Sequence, residues 1–178
     1  MKLIIAHYHL QTGGVTRIVQ SQIEAVRRLG CAGSSTVLLT GAQPEGLSID
    51  GGTDVRVHPD LDYLPAESGP REWRRRSASL ERVLREAVSE DAVLHVHNPN
   101  LGKNPVLTYV LWGLASEGLR LVYHCHDFAE DRPVNGAFNR RVIGALAGES
   151  YIHTVLYPGS DRCVYGAVSY THLRAHET

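Results

Sequence analysis

The sequence predicts an α/β fold built on a parallel β-sheet. Short apolar stretches typical of strands alternate with longer stretches whose apolar residues recur at helical spacing. Two glycines separate the first strand from the first helix, and three strands end in a His-x-His pattern. Alternating strands and helices form right-handed crossovers, which give parallel strands with helices on both faces of the sheet. We therefore expect a Rossmann-like sheet that binds ligands at the carboxyl ends of its strands.

The first strand and helix form the clearest unit. The apolar run LIIA at residues 3–6 leads into HYHLQT, and Gly13 and Gly14 open a helix that extends to Leu29 and is ended by Gly30. The apolar positions of this helix lie on one side: Val15, Ile18, Val19, Ile23, Val26 and Leu29. The unit is a strand, a tight turn and an amphipathic helix.

The next elements alternate in the same way. A second strand is predicted over residues 35–40 and a third over 54–58, with a loop rich in Gly, Pro and Ser between them. A charged helix with one apolar stripe follows at 71–90. The fourth strand, at 92–97, is closed by an Asn-Pro pair.

The later elements continue the alternation. Asn104 and Pro105 mark the beginning of a buried helix over 105–116, because Asn is a favoured N-cap and Pro a favoured first helical residue. A strand, a helix and a sixth strand are predicted after it, at 121–126, 137–147 and 152–156.

Composition and charge narrow the function classes. The chain has 178 residues, of which 43% are hydrophobic and 21% charged, as is usual for a soluble globular domain. The net charge of −1 gives no electrostatic footprint for nucleic acid, so no nucleic-acid partner is expected. Three scattered cysteines indicate a reducing compartment, and no run approaches the ~20 apolar residues of a membrane span. We expect a cytoplasmic protein.

A small basic cluster leaves contact with a membrane surface open. Arg71, Arg74, Arg75 and Arg76 surround Trp73 near the beginning of the charged helix. Such a cluster can bind anionic lipid head groups or an anionic acceptor. A solvated helix side is the commoner arrangement, so we expect at most a peripheral membrane contact.

The last residues differ from the rest of the chain. Residues 168–178, VSYTHLRAHET, resemble the translation of a transposon-type sequencing adapter, and Ala167 fits the same reading frame. We therefore exclude 167–178 from the fold prediction and expect one domain over 1–166 that belongs to a longer protein. The alternative is a genuine polar C-terminal segment.

The glycine pair after the first strand predicts an anion site. A helix N-terminus carries unpaired N–H groups and partial positive charge, and glycine allows a ligand to approach the backbone closely. Gly13, Gly14 and Val15 are therefore candidates for binding a phosphate or diphosphate. The first strand is not followed by G-x-G-x-x-G, and no P-loop pattern is present, which argues against dinucleotide binding and P-loop chemistry.

Six histidines end strands one, four and five: His7, His9, His95, His97, His124 and His126. Residues two apart share one face of a strand, and these strands are neighbours in the usual doubly wound order, so the imidazoles should converge. Imidazole suits binding of sugar hydroxyls and phosphates, or proton transfer. A metal site is an alternative, although Asp127 is the only well-placed carboxylate.

These motifs together resemble a known family. Residues 13–17 (GGVTR), 96–99 (VHNP) and 124–127 (HCHD) have the order and spacing of the N-terminal domain of retaining glycosyltransferases of family 4, which have the GT-B fold. The resemblance covers about residues 1–166. It implies an N-terminal domain that mainly binds the acceptor and a C-terminal domain that binds the nucleotide sugar. The motifs of the second domain are absent, so we expect this chain to be inactive alone.

The resemblance also implies residue roles. His126 matches the histidine that contacts the transferred sugar near its anomeric carbon, with His124 as the second choice. The family's glycine loop approaches the donor diphosphate or the acceptor. The predicted substrate-binding residues are Gly13, Gly14, Val15, His97, Asn98, Asn100, His124 and Asp127. Such enzymes generally need no metal and no cofactor besides the nucleotide-sugar co-substrate.

The predicted function is therefore transfer of a sugar from a nucleotide-sugar donor to a carbohydrate or lipid-linked acceptor, with retention of anomeric configuration. Two other classes stay open. One is a metal-dependent hydrolase that uses the His-x-His patterns, and the other is a standalone module that binds a nucleotide or small ligand. The sequence carries no motif that identifies the donor sugar, the acceptor or the oligomeric state.

Overall fold

A computed structural model describes residues 2–29, 35–45 and 52–168. The strands are β1 (Lys2–His7), β2 (Ser35–Thr40), β3 (Thr53–Val57), β4 (Ala92–His97), β5 (Leu121–Cys125) and β6 (Cys163–Ala167). The helices are α1 (Gly14–Arg28), α2 (Pro70–Ala87), α3 (Pro105–Ser116), α4 (Pro133–Ala147) and α5 (Ile152–Leu156). The six strands form one parallel sheet in the order β3-β2-β1-β4-β5-β6.

The two faces of the sheet are covered by different helices. On one face, Val19 of α1 packs against Ile5 and Leu38. On the opposite face, residues of α2, α3 and α4 join Ile4 and Leu94 in the larger apolar core. The predicted α/β fold, with a Rossmann-like parallel sheet and helices on both faces, is confirmed.

The helix beginnings follow the predicted chemistry. The Asn104 side chain accepts a hydrogen bond from the backbone N–H of Leu107, so Asn104 caps α3 as expected. The helix is buried along most of its length because it is apolar on nearly every side. Among the described residues, no helix combines the length and the apolar character needed to cross a bilayer.

The predicted sixth strand at 152–156 is wrong. These residues form the short helix α5, and the sixth strand lies at Cys163–Ala167. A five-residue apolar run is ambiguous between strand and helix, and here Val155 packs against Ile143 of α4 instead of pairing with β5. The segment CVYGA instead forms β6, which pairs with β5 at the edge of the sheet.

The predicted C-terminal tail lies almost wholly outside the described residues. Ala167, which the adapter frame includes, is the last residue of β6 and pairs with Cys125. Residues 169–178 are outside the described part of the chain. The assignment of 167–178 to an adapter stays a prediction.

Candidate functional site

The predicted convergence of histidines occurs at the carboxyl ends of β4 and β5. His97 pairs with His124 in the β4–β5 register, and His95 lies two residues before His97 on the same face. His126 follows β5 and continues this row. We call His95, His97, His124 and His126 the imidazole cluster.

The rings of the imidazole cluster are stacked face to face. Ring centroids are 4.9 Å apart for His95 and His97, 4.8 Å for His97 and His124, and 4.3 Å for His124 and His126. Only His97 and His124 are paired across strands, and their ring spacing follows the ~4.8 Å separation of neighbouring backbones in a parallel sheet. His97 is fully buried, whereas the other three are partly exposed.

Two contacts join the cluster to helix α1. Nε2 of His97 lies 3.0 Å from Oε1 of Gln22, and Nε2 of His95 lies 3.3 Å from Nε2 of Gln22. Within the cluster, Nδ1 of His97 lies 2.9 Å from Nε2 of His126, and Nε2 of His95 lies 3.2 Å from Nδ1 of His124. Gln22 therefore contacts both histidines of β4 from the face of the sheet that α1 covers.

Burial keeps these imidazoles neutral. It lowers the pKa of His97 to about 2 and the pKa values of His95 and His126 to about 4, and mutual repulsion among protonated rings adds to the effect. Burial also lowers the pKa of His124. Each ring at pH 7 therefore offers one N–H donor and one unprotonated nitrogen.

His7 and His9 lie apart from the stacked row. His7 is buried, and its Nδ1 lies 3.2 Å from the backbone oxygen of His97. Burial lowers the pKa of His7 to about 4. The His9 ring packs edge-on against Tyr63, with centroids 4.9 Å apart. The six predicted histidines thus divide into the imidazole cluster of four, in which His95 also contacts His124 and His97 also contacts His126, and a pair on the β1 side.

Asn98 joins the segment that follows β4 to the segment that follows β5. Its backbone has φ of 54°, the left-handed region that Asn tolerates better than most residues. Its Oδ1 accepts hydrogen bonds from the backbone N–H groups of His126 at 2.6 Å and Asp127 at 3.3 Å. The Tyr8 hydroxyl donates to the Asn98 backbone oxygen at 2.6 Å. This residue holds His126 in place through the backbone.

The other predicted contact residues have different surroundings. Asn100 is fully buried and its side-chain amide donates to the Tyr157 hydroxyl at 3.1 Å, so this group faces the protein interior. Asp127 is partly exposed and pairs with Arg132 at 3.1 Å. The binding roles predicted for these two residues stay predictions.

The glycine turn leaves room beside the α1 N-terminus. A Cβ placed on Gly14 would meet no atom within 4 Å, and one on Gly13 would meet only the Gln11 backbone oxygen at 3.8 Å. Neither close packing nor a left-handed backbone therefore requires glycine at positions 13 and 14. The first turn of α1 carries no acidic side chain that would repel an anion. Gln22 lies about 12 Å further along the same helix, so α1 connects the turn to the imidazole cluster.

Gln22 and Tyr8 are site residues that the sequence reasoning missed. The polar side of α1 includes several other residues of similar character, and nothing distinguishes Gln22 among them. Tyr8 lies between two histidines and is buried, where a tyrosine hydroxyl generally has a hydrogen-bond partner. The place of Tyr8 between two strand-end histidines was the only feature of the sequence that could have indicated its role.

A family model described as "Glycosyl transferase 4-like domain" matches residues 13–165. The chain belongs to this family of glycosyltransferase domains. The match includes the glycine turn, the imidazole cluster, strands β2 to β5 and the first part of β6. The family resemblance inferred from the sequence is confirmed.

Individual proteins are also similar to the chain. Mannosylglucosyl-3-phosphoglycerate synthase of Petrotoga mobilis is 27% identical over 173 residues, which cover 94% of this chain and 32% of the synthase. The chain thus spans about a third of that relative's length. A solved structure of the catalytic domain of starch synthase IV from Arabidopsis thaliana, bound to ADP and acarbose, superposes on this chain with a TM-score of 0.41 and 18% sequence identity. The matched region covers 71% of this chain and 34% of the starch synthase chain.

Proposed function

We propose that the chain is the acceptor-side domain of a retaining glycosyltransferase that uses a nucleotide-sugar donor. The family match over residues 13–165 carries this proposal. The acceptor is a carbohydrate or a lipid-linked glycan, the setting is cytoplasmic, and any membrane contact is peripheral. The transfer itself uses no cofactor besides the donor. In the longer protein, a second domain supplies most contacts to the nucleotide.

His126 is the proposed sugar-contacting residue. Its ring is partly exposed at the end of β5, and its backbone N–H is held by Asn98. A neutral imidazole placed there can donate or accept a hydrogen bond at a sugar hydroxyl without carrying charge. The residue positions the sugar near its anomeric carbon, so its contribution is orientation and polar stabilisation.

The proposed reaction needs no protein base. The bond between the anomeric carbon and the donor phosphate oxygen breaks, and the acceptor oxygen forms the new bond on the same face of the sugar. The acceptor proton passes to the departing phosphate. The open glycine turn at Gly13 and Gly14 would lie beside the diphosphate, where the helix N-terminus stabilises the developing negative charge.

The test begins with the source DNA, sequenced across codons 166 and 167 and expressed as the full reading frame. The purified protein is incubated with a panel of nucleotide sugars and glycan acceptors, and release of nucleoside diphosphate is measured. The anomeric configuration of the product is then determined by NMR. We expect turnover with retention. Inversion would overturn the retaining mechanism, and a stop codon after the adapter-like residues would favour a standalone binding module.

A matched pair of variants tests the role of His126. His126→Ala should reduce kcat/KM by on the order of 100-fold, as expected for loss of one polar contact in the transition state. His153→Ala is the control, because His153 lies on α5, away from the imidazole cluster. Equal activity of the two variants, with both folded by circular dichroism, would refute the assignment.

A further inference from the structure

We propose that His95, His97 and His124 form a binding site for one divalent transition-metal ion of the zinc class, beneath helix α1. One ring nitrogen from each of the three residues lies within 4.8 Å of the other two. The three side chains come from adjacent strands that the sheet holds in register. The site adjoins His126, the proposed sugar-contacting residue, but binding of the ion does not depend on sugar transfer.

The spacing suits a single metal ion. Two nitrogens that bind the same tetrahedral zinc at about 2.0 Å lie roughly 3.3 Å apart. Nε2 of His95 and Nδ1 of His124 are 3.2 Å apart, so these two rings already have the separation that shared coordination requires. The fully buried His97 ring packs against both, with centroids 4.9 and 4.8 Å away. Because the three nitrogens lie up to 4.8 Å apart, binding a single ion would draw the rings closer together.

Proton counting favours a cation at this position. Nε2 of His95 has two close polar neighbours, Nδ1 of His124 at 3.2 Å and Nε2 of Gln22 at 3.3 Å. An unprotonated imidazole nitrogen has one in-plane lone pair, and a protonated one has a single N–H, so it forms only one strong hydrogen bond. A metal ion bound by both histidines would take the lone pairs of both ring nitrogens, so the contact between them would no longer need a proton, and the Gln22 N–H would turn to another acceptor.

The surroundings provide the outer contacts of a metal site. Metal-binding histidines usually direct their second ring nitrogen toward a hydrogen-bond partner. For His97, Nε2 faces Gln22 Oε1 at 3.0 Å, and Nδ1 lies 2.9 Å from Nε2 of His126. With Nε2 on the metal, the Nδ1–H of His97 would donate to His126, and the Gln22 oxygen would lie next to the fourth position.

The donor set selects the class of ion. Neutral imidazoles favour Zn²⁺, Cu²⁺, Ni²⁺ and Co²⁺ over Mg²⁺ and Ca²⁺, which prefer oxygen ligands. The Cys125 side chain is buried in the apolar core on the opposite face, so it does not contribute a thiolate.

The test titrates the chelator-stripped chain with ZnCl₂ by calorimetry and with CoCl₂ by visible absorption. His172 and His176, outside the described residues, are replaced by Ala in every protein so that the C-terminal segment cannot bind metal. We expect one equivalent of Zn²⁺ to bind and Co²⁺ to give the intense absorption of tetrahedral coordination. Binding below a tenth of an equivalent would overturn the proposal.

Variants locate the site. His95→Ala and His124→Gln should each weaken Zn²⁺ binding at least tenfold, whereas His58→Ala, which removes a histidine after β3, should leave it unchanged. His126→Ala should weaken Zn²⁺ binding less than either ligand variant, because it removes an outer contact and no ligand. Equal binding by wild type and His95→Ala would refute the site.

An NMR measurement on protein with an intact imidazole cluster tests the site even if the variants do not fold. In the 15N-labelled protein carrying only the two C-terminal replacements, Zn²⁺ should shift the ring nitrogens of His95, His97 and His124 and leave His58 in place. Shifts confined to other histidines would contradict the proposal. Because these measurements need no sugar substrate, failure of the metal site and failure of the proposed transferase function are distinguishable.

Discussion

β4 and β5 present two unlike surfaces, one on each face of the sheet. The face toward α3 buries five side chains in the apolar core: Leu94, Val96, Leu121, Tyr123 and Cys125. The other face of the same strands carries the imidazole cluster. Central strands of parallel sheets are usually apolar on both faces. The contrast indicates that one face stabilises the fold through apolar packing, while the other carries polar groups at the carboxyl ends of the strands.

The largest effect should follow from a change on the apolar face. Leu94→Ala should lower the free energy of unfolding by about 3 kcal/mol, because it removes a fully buried side chain and leaves a cavity. Urea denaturation followed by circular dichroism measures the loss. Val93→Ala, on the opposite and partly exposed face, is the control and should cost less. Equal losses of unfolding free energy in Leu94→Ala and Val93→Ala would show that the two faces contribute alike to stability.

An intermediate effect is expected at the residue that joins the strand ends. Asn98→Ala should cost about 2 kcal/mol, since it loses two hydrogen bonds and places alanine at a left-handed position. Asn98→Gly keeps the backbone conformation and should cost less. Hydrogen exchange at the amides of His126 and Asp127 should accelerate in both variants. Unchanged exchange would mean that the Asn98 side chain does not hold this loop.

The smallest effect should come from the polar face. His95→Leu, measured with a chelator present, should change the free energy of unfolding by no more than about 1 kcal/mol, because added apolar surface offsets the lost polar contacts. The same variant should lose any stabilisation by Zn²⁺. A loss as large as that of Leu94→Ala would show that the imidazole cluster is part of the stabilising core.

The fold was largely predictable because five strands combine apolar character with clear turn signals. The Asn104 cap and the apolar α3 were evident for the same reason. The sixth strand was missed because two candidates, IHTVL and CVYGA, lie close together and the more apolar one forms a helix. Packing of Val155 against α4 decided between them, and no local pattern in the sequence reports that contact.

The site was predictable only where it follows from strand geometry. The two-residue spacing within β4, together with the adjacency of β4 and β5, was sufficient to bring His97 and His124 together. Gln22 could not be found in this way, because its contacts depend on where α1 crosses the sheet. The left-handed backbone of Asn98 was equally hidden, since the sequence reports only an asparagine before a proline.

The hydrogen bonds of Asn98 also bear on attempts to re-engineer the domain. Tyr8 follows β1, Asn98 follows β4 and His126 follows β5, and the three are linked in series by bonds of 2.6 Å. A single loop transplanted from a relative would lack the residues at the ends of the other two strands with which it forms these hydrogen bonds. Loop grafts should therefore transfer the three strand-end segments as one set, and variant libraries should change them together.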